Sequence, residues 1–128
     1  MPSVEFVSTG NEWEKRFGYS RIARVGDLVL VGGTVAIDSD GSTHAPGDAG
    51  AQTMRCFEII ERSLRQIGVS RTAILRSRVF VTDIKQAEAV GLAHKAFFGD
   101  HMPCLTQVEV SALITPDLVV EIECDAHA

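Results

Sequence analysis

Two carboxylates, Glu121 and Glu123, alternate with apolar residues in Val120-Glu121-Ile122-Glu123 and are the groups in this chain best suited to moving a proton. A positioned carboxylate orients water or accepts its proton when burial raises its pKa toward neutrality. Pattern alone does not separate the two, because both fall on the same side of one alternating run, and a solvated or inter-chain glutamate is the competing reading for each. Tyr19 can hold a ligand through its hydroxyl, although an aromatic at the start of a strand more often fills a core. His94 titrates near neutral pH, yet a lone histidine on an apolar helical stripe is usually a core residue with one hydrogen bond. Cys104 becomes a nucleophile only if its pKa is lowered, and buried inert thiols are commoner.

Other chemistries find little footing. His94 and His101 lack the His-x-x-x-His spacing of a helical metal pair, so no metal site is expected. The Ser/His/Asp and phosphate-loop templates have no match, Gly32-Gly33 being too short to cradle phosphate. With 17 acidic against 12 basic side chains and no basic run, the chain offers no footprint for a phosphate backbone, and nucleic acid is not an expected partner. Cys56, Cys104 and Cys124 form no CxxC motif, and the first residues have neither a basic nor an apolar leader segment, so a cytoplasmic location is expected. The longest apolar runs, such as residues 28–31, fall far short of the roughly 18 to 20 residues that a bilayer requires, and no membrane association is expected.

The elements that must position these groups are read from periodicity. Residues 19–25 and 28–34 are β-branched and apolar runs split by Gly26-Asp27, which predicts a hairpin. Residues 38–48 are dense in turn formers without any period and are expected to form a mobile surface loop. From an N-cap at Asp48, Met54, Phe57, Ile60, Leu64 and Ile67 mark an amphipathic helix ending at Gly68, with Glu58/Arg62 and Glu61/Arg65 paired on its outer face. Residues 75–82 alternate, setting Leu75, Ser77, Val79 and Val81 against Arg76, Arg78, Phe80 and Thr82, and Asp83 with Gln86 has the spacing of a capping box. A second helix carries Ala87, Val90, His94 and Phe97, stops at Gly99 and is barred from continuing by Pro103. Strands over 104–113 and 118–126 flank a Thr115-Pro116-Asp117 turn, and a short strand at 4–7 would add a sixth.

The 128 residues, 45% of them hydrophobic, suit a single domain with one core spanning the whole chain. Two helices with one apolar stripe each must serve five or six strands, which predicts an α+β fold with both helices on one face of a mixed sheet. The opposite face is expected to carry Phe80, Leu105 and Val119, more apolar than a wetted surface needs, and association between chains follows.

The series Gly18-Tyr19-Ser20, Leu30-Val31-Gly32-Gly33, Arg78-Val79-Phe80-Val81-Thr82-Asp83, Phe97-Phe98-Gly99, Pro103, Val108-Glu109-Val110, Leu113 and Val120 through Ala126 resembles the Rid family, also called YjgF or, in older naming, endoribonuclease L-PSP. The resemblance runs from about Gly18 to Ala126 in order, without a large gap. It implies a chorismate-mutase-like fold assembled as a homotrimer, with sheets around a central barrel and small-molecule clefts between neighbouring subunits. The best-known members hydrolyse reactive 2-imines and enamines to 2-keto acids and ammonia, with no metal or cofactor. The resemblance also selects Glu121 over Glu123 as the catalytic carboxylate and gives ligand-binding positions at Tyr19, Gly33, His94, Leu105 and Thr106.

Deaminase members hold the substrate carboxylate with an arginine two residues after a proline, a bidentate contact that fixes the reacting carbon. Here Pro103-Cys104-Leu105-Thr106 puts Leu105 at that position. The serine expected before Gly33 is Gly32, and the asparagine expected early in the second helix is Gly91. Losing a bidentate, charge-assisted contact removes about 2 to 5 kcal/mol of anchoring. The chain thus resembles an arginine-lacking branch with unassigned substrates. Two functions stay open: a deaminase or hydrolase of imine- or enamine-type metabolites, and a trimeric small-molecule-binding or accessory protein without turnover.

Overall fold

The structure is a computed structural model that describes residues 3–128. Along the chain the elements are β1 (Val4–Val7), α1 (Glu12–Phe17), β2 (Ile22–Val25), β3 (Leu28–Val35), α2 (Ala49–Gln66), β4 (Ile74–Val81), α3 (Ala87–Phe98), β5 (Cys104–Glu109) and β6 (Val120–His127). The strands join in one mixed sheet of order β1-β2-β3-β6-β4-β5, antiparallel throughout except for the parallel β4–β5 pair. Because β4 and β5 run parallel, the chain needs a crossover between them, and α3 supplies it. The α+β architecture expected from periodicity is present, with three helices rather than two.

Helices α2 and α3 lie together on one face of the sheet. Their apolar stripes bring Cys56, Phe57, Ile60, Leu64, Val90, Phe97 and Phe98 onto the inward residues of the strands, Val29, Val31, Val79, Val81, Val120, Ile122 and Cys124, in one buried cluster. Phe57 is its hub, stacked on Phe97 at 4.9 Å and edge-on to Phe98 at 5.0 Å. Alternation along β6 is strict: Val120, Ile122, Cys124 and Ala126 are buried, whereas Glu121, Glu123 and Asp125 face away from the helices.

The added helix, α1, is short. Asn11 accepts the Glu14 N–H at 2.9 Å, and Gly18, at φ 73°, ends the helix in the left-handed conformation that glycine adopts without strain. Three other expectations are corrected. Leu75 does not share the core face with Ser77: the β4–β6 register shifts between Ile74 and Arg76, so the bulge turns Ile74 inward and leaves Leu75 exposed. Leu105 does not share the helix-free face with Phe80: the parallel register sets it opposite Ser77, an inward residue, while Thr106 and Val108 pair with outward Arg78 and Phe80. Gln86 does not close a capping box with Asp83. Its Oε1 accepts the Ala49 N–H at 2.9 Å and its Nε2 donates to Gly47 O, so it caps α2 instead.

The segment 38–48 forms the expected surface loop and is tied to its surroundings at several points. A bridge joins Ile37 to Thr43, His44 Nδ1 lies 2.9 Å from Asp38 Oδ1, and the buried Gln52 donates to Ala45 O. On α2, Glu58 meets Arg55 rather than Arg62, and Glu61, besides Arg65, is held mainly by Arg71 from the following turn.

Candidate functional site

The most distinctive polar site lies on the helix-free face where β3 meets β6. Three steps of β3, from Val31 to Thr34, span what two steps of β6 span, from Cys124 to Ile122, and the extra residue bulges at Gly32-Gly33. Both glycines are exposed. Gly33 lies outside the left-handed region, so its backbone conformation does not require glycine. The neighbouring side chain does: a Cβ at Gly33 would stand 2.2 Å from Glu121 Oε2. The Glu121 carboxylate therefore rests on bare backbone.

Glu121 pairs across the sheet with Val35 on one side and Phe80 on the other, so both flanks of its side chain are apolar. Burial pushes its pKa above the ordinary 4.5, the charge of Glu123 adds to that, and Arg21 opposes it. No donor among the described residues hydrogen-bonds the carboxylate. It combines partial burial, a raised pKa and free lone pairs, which is the condition a general base requires.

Arg21, just ahead of β2, closes the other side of the bulge. Its Nη1 donates to Thr34 Oγ1 at 2.6 Å and to Gly33 O at 3.2 Å, while Gly32 N–H donates to Arg21 O at 2.9 Å. Arg21 Nε is buried without an acceptor among the described residues. Behind it, α1 brings Glu14, which accepts from Ser8 Oγ, Thr9 N–H and Thr9 Oγ1. Burial works to raise the Glu14 pKa, but the Thr9 and Ser8 hydrogen bonds and Arg21 outweigh it and hold the group below 4.5. Two carboxyls that both feel one guanidinium thus have pKa values shifted in opposite directions, Glu14 downward and Glu121 upward.

A family model for endoribonuclease L-PSP matches residues 9–128. The chain belongs to the Rid family. The crystal structure of Rv2704 from Mycobacterium tuberculosis, a member of the YjgF family, is 41% identical, covers 98% of this chain and 100% of that one, and superimposes with a TM-score of 0.87. The Yersinia pestis Rid protein YyfA reaches the same TM-score at 26% identity, over 98% of this chain and 100% of its own. The uncharacterized protein SCO2049 from Streptomyces coelicolor is 31% identical over 98% of this chain and 92% of its length.

Within this Rid chain the residues singled out from sequence divide into three places. Gly33 and Glu121 touch. Tyr19, exposed and two residues before Arg21, borders the same bulge through the 19–21 segment, its own N–H held by Glu14 O. Leu105 and Thr106 lie two strands beyond β6 on the edge strand β5, about 10 Å across the sheet. Leu105 is level with Cys124 and points toward the helix side, whereas Thr106 shares the face of Glu121.

His94 is on the other side of the sheet. It is 8% exposed on the core face of α3, against Phe57 and Phe98, with Nε2 unpartnered among the described residues, and burial lowers its pKa. The fold does not bring it to Glu121. Burial pushes the Cys56 thiol up and the Cys124 thiol to about 11, which makes both inert, while Cys104 is exposed on β5. Arg21 is the site residue that periodicity misses. Its signal, a charged residue entering an apolar strand directly after Gly18-Tyr19-Ser20, gains meaning only once the β3 bulge is folded against it.

Proposed function

We propose that the chain is a homotrimeric imine or enamine hydrolase, with its small-molecule clefts between subunits and Glu121 as the acid–base group. The observation that carries this reading is the Glu121 carboxylate: half-buried, accepting no hydrogen bond among the described residues, and seated on the bare backbone of Gly33. In the reaction Glu121 takes a proton from water as the oxygen attacks the C=N carbon, giving a carbinolamine. The protonated carboxyl then returns that proton to nitrogen, and as the C–N bond breaks and the C=O forms, the hydroxyl proton passes through the carboxylate to the departing ammonia. Water is the only co-reactant, and the carboxylate is regenerated.

Assembly is supported by the helix-free face. Val4 and Phe6 on β1 and Leu28 and Leu30 on β3 are exposed there on either side of β2, and Phe80 and Val108 form a second apolar patch beyond the charged row of β6. The separation of Tyr19, Gly33 and Glu121 from Leu105 and Thr106 within one chain also favours a cleft completed by the β5 edge of another copy. No helix among the described residues is long and apolar enough to cross a membrane. With its three cysteines unpaired, the protein is assigned to the reducing cytoplasm.

The test generates imines in situ with an amino-acid oxidase and measures the rate of ammonia release above spontaneous hydrolysis, for wild type and Glu121→Ala. Acceleration by wild type that is lost in the variant is the expected result. No acceleration with any of a varied set of imines overturns the hydrolase and leaves a binding or accessory protein. Sedimentation at micromolar concentration checks assembly, and a monomer mass refutes the trimer.

A further inference from the structure

We propose that Arg21 is a positioning residue for Glu121: its guanidinium, turned inward against the β3 bulge, holds the backbone on which the carboxylate rests and sets a fixed positive charge near it. The inference deepens the hydrolase reading and rests on it for the reaction, but the link between the two side chains can be tested without turnover.

Three consecutive residues of the bulge are tied to Arg21. Its Nη1 donates to Gly33 O at 3.2 Å and to Thr34 Oγ1 at 2.6 Å, and its carbonyl accepts the Gly32 N–H at 2.9 Å. Thr34, fully buried, donates its hydroxyl to Gly32 O at 2.9 Å, so the hydrogen bonds close on themselves around position 33. From α2, Cys56 Sγ donates to Thr34 O at 3.3 Å and holds the same stretch from the helix side. Glu121 Oε2 lies in the space above Gly33 that a Cβ would fill, so whatever fixes Gly33 fixes the floor under the carboxylate.

Hydrogen bonding alone does not require a guanidinium there. Nε is sealed from solvent with no acceptor among the described residues, a destabilising arrangement that a neutral amide donating to the same two oxygens would avoid. What a guanidinium adds in this place is a permanent charge held by the fold. Glu14 feels that charge but directs its carboxylate at Ser8 and Thr9. Glu121 feels it with no hydrogen bond of its own. Burial pushes the Glu121 pKa up most, Glu123 on the same strand adds to the rise, and Arg21 pulls against both. From α2 it meets Cys56, a thiol that burial keeps neutral, and Val35 and Phe80 across the sheet carry no charge. Without the guanidinium, burial and Glu123 both favour the protonated carboxyl, which cannot take a proton from water.

Wild type, Arg21→Gln, which keeps a donor without the charge, and Arg21→Lys, which keeps the charge, are titrated by carbon-13 NMR of the Glu121 carboxyl, assigned with Glu121→Gln. The same proteins are assayed for imine hydrolysis across pH and melted to confirm that they fold. Expected are a higher Glu121 midpoint in Arg21→Gln and the wild-type midpoint in Arg21→Lys. The acid limb of the rate profile should move with the midpoint. In mildly acidic buffer kcat of Arg21→Gln then falls on the order of tenfold, with KM unchanged because Arg21 does not touch the ligand, and Arg21→Lys recovers most of the loss. In the wild type, the nitrogen-15 resonance of Arg21 Nε should shift at the pH where Glu121 titrates, apart from the more acidic step of Glu14.

Absence of that Nε shift overturns the inference without any variant having to fold. An identical Glu121 midpoint in wild type and Arg21→Gln also overturns it, as does failure of Arg21→Lys to restore the midpoint, which makes Arg21 a scaffold of the bulge alone. A rise in KM at constant kcat in Arg21→Gln overturns it by making the residue a ligand contact. Imine hydrolysis by wild type with a pH profile that Arg21→Gln does not move removes the positioning role and leaves the hydrolase. Linked titration of Glu121 and Arg21, with turnover of no imine, leaves the link and removes the hydrolase.

Discussion

Glu121 occupies the space that any side chain at Gly33 would need, its Oε2 lying 2.2 Å from where a Cβ would be built. The clash is with the end of a flexible side chain rather than with backbone, so Glu121 can vacate the volume that a Cβ at position 33 would take. Gly33→Ala is therefore expected to leave stability within about 1 kcal/mol of wild type while swinging the carboxylate out of position. Ammonia release from imines should fall at least tenfold with the melting temperature nearly unchanged. Full activity in Gly33→Ala would show that the resting place of the carboxylate is not its working place.

Glu121→Gln keeps the size of the side chain and removes the base. Rates with imine substrates are expected to drop by about two to four orders of magnitude, the usual contribution of a positioned acid–base group. Binding of a 2-keto acid product should persist, because the amide occupies the same volume without repelling an anion. Rate and product affinity measured on one preparation separate the two effects, and equal loss of both would make Glu121 a binding group instead.

What periodicity makes legible here is whatever a single element decides alone. Phe57, Ile60 and Leu64 announce α2 because the helix buries one stripe, and the alternation from Val120 to Ala126 announces β6 because antiparallel partners flank it on both sides. What escapes depends on a partner distant in sequence. Leu75 is turned out by a register shift against Ala126 and Asp125, and Leu105 is turned inward by a parallel register with Ser77 that no local pattern encodes. Gln86 leaves its own turn to cap a helix that starts 37 residues earlier. The six residues of α1 are too few to show an apolar period, although Asn11 and Gly18 mark both its ends. Glu121 and Gly33 are both singled out by the family resemblance and not by pattern, but neither the contact between them nor the half-used guanidinium beside them can be read without the fold.

Glu14 and Glu121 should respond oppositely to pH. Glu14 has its folded pKa held below 4.5, so it contributes stability above that value and loses it as pH falls through the folded pKa. Glu121 has its folded pKa raised, so its contribution is complete below 4.5 and is lost as pH rises through the folded value. Denaturant melts of Glu14→Gln should therefore show a deficit of about 1 to 3 kcal/mol near neutral pH, shrinking in acid as the wild-type carboxyl also protonates. Glu121→Gln should instead gain on wild type as pH rises above 4.5. Parallel pH profiles for the two variants would contradict the placement of one carboxyl among donors and the other among apolar flanks.

Gln52 links the loop before α2 to the strand that carries Glu121. It is fully buried: Nε2 donates to Asp117 O at 2.9 Å and Ala45 O at 3.2 Å, and Oε1 accepts the Val119 N–H at 2.9 Å. Gln52→Leu keeps the volume but leaves the Val119 N–H without an acceptor, while Asp117 O and Ala45 O keep the Gly47 and Asp48 N–H groups, which should lower stability by about 1 to 3 kcal/mol in urea melts. Because Val119 immediately precedes β6, its freed amide should also exchange faster with solvent, and the first residues of β6 should loosen with it. Glu121 is two residues farther on, so imine hydrolysis is expected to weaken even at temperatures where Gln52→Leu remains folded. A variant that melts early but keeps the wild-type rate below its transition would show that the bulge at Gly33, rather than the start of β6, sets the position of the carboxylate.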